Sequence, residues 1–264
     1  MEIIGYLSAV VIGISLGLIG GGGSVLTVPV LVYLFGLDTF LATEYSLFIV
    51  GASSAVGSLS YLKKGLVDLG TAFVFGVPSI ITIFFTRLYL LPLIPEEIFK
   101  TGGFILTKNT FLLLIFAGLM IFASYKMIRK GSGHIEKECE RNERNILLAV
   151  GNGSVVGFLT GLVGAGGGFM IIPALVSLLK MPMKKAVGTS LVIISLNALI
   201  GFSSSLGNAK IEWNFLIVVT AIAIVGIIIG SQLSKKIDGK KLKPAFGWLI
   251  LLMGMYIFLK EMFL

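Results

Sequence analysis

The stretch GISLGLIGGGGSVLTVPVLVYL, residues 13–34, returns without a gap as GFLTGLVGAGGGFMIIPALVSL, residues 157–178. Gly17, Gly20, Gly22 and Gly23 fall on Gly161, Gly164, Gly166 and Gly167, and Pro29 falls on Pro173. Both copies lie inside long apolar runs. A glycine cluster that interrupts hydrophobic helices, once in each half of a chain, is the sequence pattern of a binding site built from broken membrane helices.

Composition agrees with a membrane setting. Of 264 residues, 56% are hydrophobic and only 13% charged, and the mean hydropathy is +1.02; an ordinary soluble domain is about 25% charged. Apolar segments run over 3–19, 24–36, 41–62, 67–91, 105–128, 146–163, 167–180, 186–206, 213–233 and 244–262. Recurring runs of about 20 apolar residues mark a polytopic membrane protein. The net charge of +8 does not point to nucleic acid, because the cations fall in short clusters between apolar runs, such as Lys235-Lys236 and Lys240-Lys241. The positive-inside rule produces that distribution. A lone Cys139 and a lone His134 share the polar middle stretch, which excludes a disulfide framework and a cysteine or histidine metal cluster. No cofactor is expected. The start, Met1-Glu2-Ile3-Ile4-Gly5, lacks a basic region and reads as the first membrane segment.

The chain divides into a first transmembrane repeat at 1–128, a polar cytoplasmic linker at 129–145 and a second transmembrane repeat at 146–264. The linker mixes Arg129, Lys130, Lys137, Arg141 and Arg144 with Glu136, Glu138, Glu140 and Glu143. The repeat extends past the glycines: at the same offset Ala42, Ser46, Leu47, Gly57 and Ser60 match Ala186, Ser190, Leu191, Gly201 and Ser204. Loop charges orient the copies. Placing Lys63-Lys64, the linker, Lys184-Lys185 and Lys235 to Lys243 in the cytoplasm leaves Asn208 outside, although its repeat mate Lys64 is inside. Equivalent loops on opposite faces imply inverted-topology repeats.

That orientation requires residues 146–180 to leave and return on one side. The two apolar pieces, about 18 and 14 residues, reach about 27 and 21 Å as helices, and the second falls short of a core of roughly 30 Å. The expected fold is therefore all-α: two inverted repeats, each a Gly-rich broken helix or re-entrant hairpin followed by three transmembrane helices. This gives six full crossings and two hairpins.

Irregular backbone at membrane depth survives only when buried in protein or lining a polar cavity. Gly20, Gly21, Gly22, Gly23 and Ser24, with Gly164, Ala165, Gly166, Gly167 and Gly168, supply it twice. The half-helices that follow would present free amides and a positive dipole end, which suit an anion without a buried cation. Close helix packing is the competing account for the outer glycines, as in Gly13-xxx-Gly17 and Gly157-xxx-Gly161. Pro29 and Pro173 either edge the site or kink the second half-helices. Ser46 and Ser190 either cap helix starts or line a pathway. Downstream, Ser53, Ser54, Ser58 and Ser60 on one side and Asn197, Ser203, Ser204 and Ser205 on the other either line an uncharged path or bond between helices. Glu44, Asp68, Arg87 and Glu212 stand near segment ends, where snorkelling is the ordinary explanation. Arg87 is a candidate for an outer vestibule and Glu44 for a coupling proton.

Enzyme motifs are absent. Gly164-Ala165-Gly166-Gly167-Gly168 lacks the acid about 20 residues on that holds a ribose, and no Gly-Lys-Ser/Thr follows either cluster. One histidine cannot serve a hydrolase triad or a zinc protease.

The duplicated Gly-xxx-Gly-xx-Gly-x-Gly-Gly, followed by an apolar stretch and Pro, with Ala-xxx-Ser-Leu downstream, resembles the sulfite exporter TauE/SafE family, also called the toluene sulfonate uptake permease family. The resemblance covers nearly the whole chain. It implies an inner-membrane permease of a bacterium or archaeon for a sulfur-containing anion, such as sulfite or a sulfonate, and seven or eight crossings. The motif residues it marks are Gly17, Gly20, Gly22, Gly23 and Pro29, with Gly161, Gly164, Gly166, Gly167, Gly168 and Pro173. The first copy departs from the pattern, carrying Glu44-Tyr45-Ser46 where the second has Gly188-Thr189-Ser190. The expected partners are a small anion, lipid and a coupling proton. A passive anion channel, a permease for a non-sulfur organic anion and a non-transporting assembly subunit remain alternatives.

Overall fold

The computed structural model describes residues 2–95, 97–101, 104–129, 143–163, 167–204, 211–234 and 239–263. The chain runs α1 (Glu2–Ile19), α2 (Gly22–Tyr33), α3 (Thr39–Leu62) and α4 (Leu69–Phe85), which continues through a π-helical turn (Thr86–Leu90) into α5 (Leu91–Leu93). A short antiparallel hairpin, β1 (Glu97–Thr101) with β2 (Phe104–Thr107), leads into α6 (Lys108–Arg129). The second half is α7 (Glu143–Val163), α8 (Gly168–Pro173) with a π-helical turn (Ala174–Leu178), α9 (Met183–Ser203), α10 (Trp213–Leu233) and α11 (Gly239–Phe263).

The fold is helical, as expected, apart from the small hairpin between α5 and α6. Within the expected linker, residues 130–142 lie outside the described residues, and Glu143 to Asn145 belong to α7. Among the described residues five helices are long and apolar enough to cross a membrane: Thr39–Leu62, Leu69–Leu93, Lys108–Tyr125, Met183–Ser203 and Trp213–Leu233. The glycine-flanked pieces, Ile4–Ile19, Gly23–Tyr33 and Leu147–Leu162, are shorter. Large apolar side chains face outward along these helices, including Phe73, Leu93 and Leu147, each more than two-thirds exposed. Such a surface is unfavourable in water and ordinary in lipid. The protein is a multi-pass membrane protein.

Helix starts follow local chemistry. The Asp38 carboxylate accepts from the Phe40 amide at 2.9 Å to open α3, and Asp68 accepts from Thr71 at 3.0 Å to open α4. Asp68 is thus a cap, not a snorkelling side chain. Glu212 stands before α10, where its own amide donates to the Tyr45 hydroxyl at 2.7 Å.

Packing treats the two halves as equivalents. α1 packs on α10, and α7, the repeat mate of α1, packs on α4; α3 packs on its mate α9, and α6 on α11. Glycines set how close these pairs come. A Cβ on Gly13 would strike the Ala223 carbonyl, one on Gly17 the Ile227 carbonyl, and one on Gly230 the Ile14 carbonyl. α1 and α10 therefore lie backbone to backbone and run parallel. Gly153, Gly157 and Gly161 meet Phe75, Ser79 and Thr86 in the same order, so α7 and α4 are parallel too. For these outer glycines close packing is the observed role.

The mates α3 and α9 run antiparallel. Gly201 lies opposite Leu47, Gly51 opposite Leu199, and Gly57 opposite Leu191. Exchanging each residue for its mate turns the Leu47–Gly201 contact into the Leu191–Gly57 contact. The two corresponding approaches measure 3.5 and 3.6 Å.

Candidate functional site

The first glycine cluster ends one helix and begins the next. Gly20 has φ +80°, a left-handed conformation that L side chains rarely adopt, and its amide still closes the last turn of α1 on the Leu16 carbonyl at 2.7 Å. Gly21 then occupies the N-cap of α2 with no side-chain cap. In the second cluster, Gly167 at φ +68° occupies the N-cap of α8, again uncapped by a side chain. Gly164, Ala165 and Gly166 lie outside the described residues. The residues at each break are buried, among them Gly21, Gly23, Ser24, Gly167 and Gly168.

The two breaks touch. A Cβ on Gly21 would overlap the Gly168 carbonyl, and one on Gly168 would come within 2.7 Å of the Gly21 Cα and 3.0 Å of the Ser24 hydroxyl. Ser24 donates to the Gly21 carbonyl at 2.7 Å. Gly20 lies against α9, where an added Cβ would stand 2.7 Å from the Ser190 hydroxyl and 3.2 Å from Val187. Only residues without side chains let two helix starts come this close.

The buried candidate hydroxyls divide into two classes. Ser190 donates to the Val187 carbonyl at 2.9 Å within its own helix. Ser46, Ser53, Ser54 and Thr160 are buried, and their hydroxyls find no protein partner among the described residues. Thr160 stands directly over Gly167. Buried polar groups are ordinarily bonded, so these hydroxyls are candidates to hydrogen-bond a substrate. The capping role for Ser46 and Ser190 is overturned: both lie well inside α3 and α9, whose N-caps are Asp38 and Pro182. Asn197 is fully buried and its amide nitrogen donates to the Ser79 hydroxyl of α4 at 2.7 Å, which leaves Oδ1 without a partner among the described residues. Asn197 thus bonds between helices, while Ser58, Ser203 and Ser204 bond to carbonyls of their own helices.

Pro29 and Pro173 sit within the second half-helices. Pro29 is accommodated in continuous α2, whereas Pro173 precedes the π-helical turn Ala174–Leu178. A proline that cannot bond one turn back loosens the ladder there, and the widened turn takes up the slack.

Sequence reasoning missed how Glu44 and Arg87 relate. Arg87 Nη1 lies 2.6 Å from Glu44 Oε1, and both side chains are almost wholly buried, at 2% and 1% exposure. Arg87 rides on the π-helical turn that ends α4. A snorkelling or vestibule position for Arg87 is thereby replaced by a buried ion pair between α3 and α4. No spacing rule joins residues 43 positions apart, so the sequence carried no signal for it.

Residues 6–257 match the protein family described as sulfite exporter TauE/SafE. The chain belongs to that family. Curated relatives of this TauE/SafE chain include the probable membrane transporter protein YunE of Bacillus subtilis, 26% identical over 98% of this chain and 99% of its own length. A probable membrane transporter protein of Methanocaldococcus jannaschii is 28% identical over 94% of this chain and 92% of its own. One of Xylella fastidiosa is 26% identical over 93% and 90%. No solved structure matches. Family and relatives agree on a membrane transporter, and the glycine breaks, buried hydroxyls and paired halves belong to a TauE/SafE transporter.

Proposed function

We propose that the protein is a secondary transporter of a small anion, with sulfite or another sulfur oxyanion or organosulfonate as substrate, working by alternating access in the cytoplasmic membrane. The observation that carries the reading is the buried meeting of Gly21 and Gly168 at uncapped helix starts. The start of α2 offers its first amides and a positive dipole end in a region closed to water. Ser24 and Thr160 supply hydroxyls at the breaks, and Ser46 is a further buried hydroxyl without a partner among the described residues. A tetrahedral or pyramidal oxyanion has acceptor oxygens in several directions and needs donors that converge, which backbone amides and hydroxyls provide without a cation.

The antiparallel α3–α9 pair supports inverted-topology repeats, since mates that run in opposite directions enter a membrane from opposite faces. In that arrangement α1–α2 and α7–α8 are re-entrant hairpins from opposite sides. A site between them is reached alternately as the helix pairs α1–α10 and α4–α7 rock against α3 and α9. Among the described residues the neighbours of Gly20, Gly21, Gly167 and Gly168 are uncharged, which suits a ligand that must also leave.

Thermal shift of the purified protein in detergent, with sulfite, sulfate, thiosulfate, sulfonates and carboxylates in turn, tests the reading. Sulfite or a sulfonate should raise Tm in a saturable manner. No stabilisation by any anion would count decisively against it. Counterflow in proteoliposomes separates a transporter from a passive channel, which shows no saturable exchange.

A further inference from the structure

The two ends of α3 are fastened to its neighbours by different chemistry. Near its start, Glu44 holds Arg87 of the π-helical turn after α4 at 2.6 Å. Near its end, the Tyr61 hydroxyl donates to the Gly17 carbonyl of α1 at 2.9 Å and shares a 2.9 Å hydrogen bond with the Ser234 hydroxyl at the end of α10. The α3–α9 crossing is centred near Ala52 and Ser53, midway between the Leu47 and Gly57 contacts. Glu44 and Tyr61 lie equally far from that centre, about 13 Å along the helix on either side. Each fastening joins α3 to a different one of the tightly packed pairs, the first to α4–α7 and the second to α1–α10.

We propose that Glu44–Arg87 and Tyr61–Ser234–Gly17 are the two gates of the pathway, one ionic and one neutral. This rests on the alternating-access reading. For the two tightly packed pairs to rock against the central α3–α9 crossing, α3 must part from α4–α7 at one end and from α1–α10 at the other. The repeat alone would make the two partings equivalent. They are not, because Gly188 is the mate of Glu44 and Ser231 the mate of Arg87. At the ionic end opening must separate two buried charges, and separated buried charges are costly unless water or an ion reaches them. At the neutral end opening breaks only hydroxyl hydrogen bonds, each far weaker. The empty protein therefore rests with the ionic end closed and opens more readily at the Tyr61 end. The π-helical turn fits this role, since a widened turn lets Arg87 shift without breaking α4.

Cysteine accessibility in the full chain, reconstituted in nanodiscs without added anion, tests the gates. In a Cys139→Ser background, Thr43→Cys reports on the ionic end and Ser58→Cys on the neutral end. Glu44→Gln, and the doubly neutral Glu44→Gln with Arg87→Gln, should raise alkylation at position 43 at least fivefold and leave position 58 unchanged. The exchanged pair, Glu44→Arg with Arg87→Glu, should return position 43 toward its original rate. Tyr61→Phe should raise position 58 alone. Unchanged rates in all variants overturn the proposal, and so does a joint rise at both positions, which is general loosening. Labelling needs no ligand, so this result stands apart from the anion screen.

Discussion

Gly21 and Gly168 meet backbone against backbone, at the starts of α2 and α8 from opposite halves of the chain. An added Cβ on either has nowhere to go except into the other's main chain. The contact fixes how closely two helix N-termini approach, and it is the narrowest tolerance at the candidate site.

Replacing Gly21 with Ala should force the two breaks apart. Overpacking of this kind costs about 1–3 kcal/mol, which lowers Tm measurably while the membrane helices still form. Anion-dependent stabilisation and counterflow should fall at least tenfold. Wild-type counterflow in a properly assembled Gly21→Ala protein would remove the breaks from the site.

Ser46→Ala separates ligand from scaffold. The Ser46 hydroxyl is buried with no partner among the described residues, and such a group costs about 1–3 kcal/mol. Its removal should leave Tm without anion equal or higher, yet weaken the Tm response to sulfite or sulfonate. A loss of anion-free stability would instead make Ser46 a structural residue.

Gly230→Ala and Gly118→Ala form a contrasting pair. The first drives a methyl into the Ile14 carbonyl on α1, whereas nothing lies within 4 Å of the second. Gly230→Ala should destabilise by about 1–3 kcal/mol. Gly118→Ala, in the middle of α6, should be neutral or stabilise by about 0.5–1 kcal/mol through the helix-weakening effect of glycine. Thermal melts of the two purified variants decide it, and similar Tm losses in both would refute the packing assigned to α1 and α10.

Gly167→Ala tests the second break by conformation. Its φ of +68° is left-handed, and an added Cβ would collide with the Thr160 hydroxyl. Strain of about 1–2 kcal/mol is expected from the backbone alone, and Thr160→Ala in the same chain should relieve only the collision. If the double variant is as stable as the Thr160→Ala single variant, the backbone strain is absent and the left-handed assignment fails.

Much of the fold was legible because its signals are local. Runs of apolar residues announce helices in lipid, a gapless repeat announces two equivalent halves, and clustered glycines announce where helices break. Pro29, Pro173 and the outer glycines were read in the right elements for the same reason. Ser46 and Ser190 read as caps because a hydroxyl near an expected helix start is the ordinary cap signal, whereas α3 and α9 begin several residues earlier, after Asp38 and Pro182. Asp38, five residues before Thr43, carries the actual cap of α3.

The sequence by itself determined that this is a membrane protein of two related halves, each with a glycine break ahead of long apolar helices. Only the tertiary structure decided that the halves face each other through antiparallel α3 and α9, that Gly21 reaches Gly168, and that Glu44 is held by Arg87. The reason is physical. Hydropathy and glycine clustering act along the chain and are written in neighbouring letters. A backbone contact between residues 147 positions apart, or an ion pair across two helices, depends on how rigid helices pack, and that packing leaves no periodic trace in either strand of the repeat.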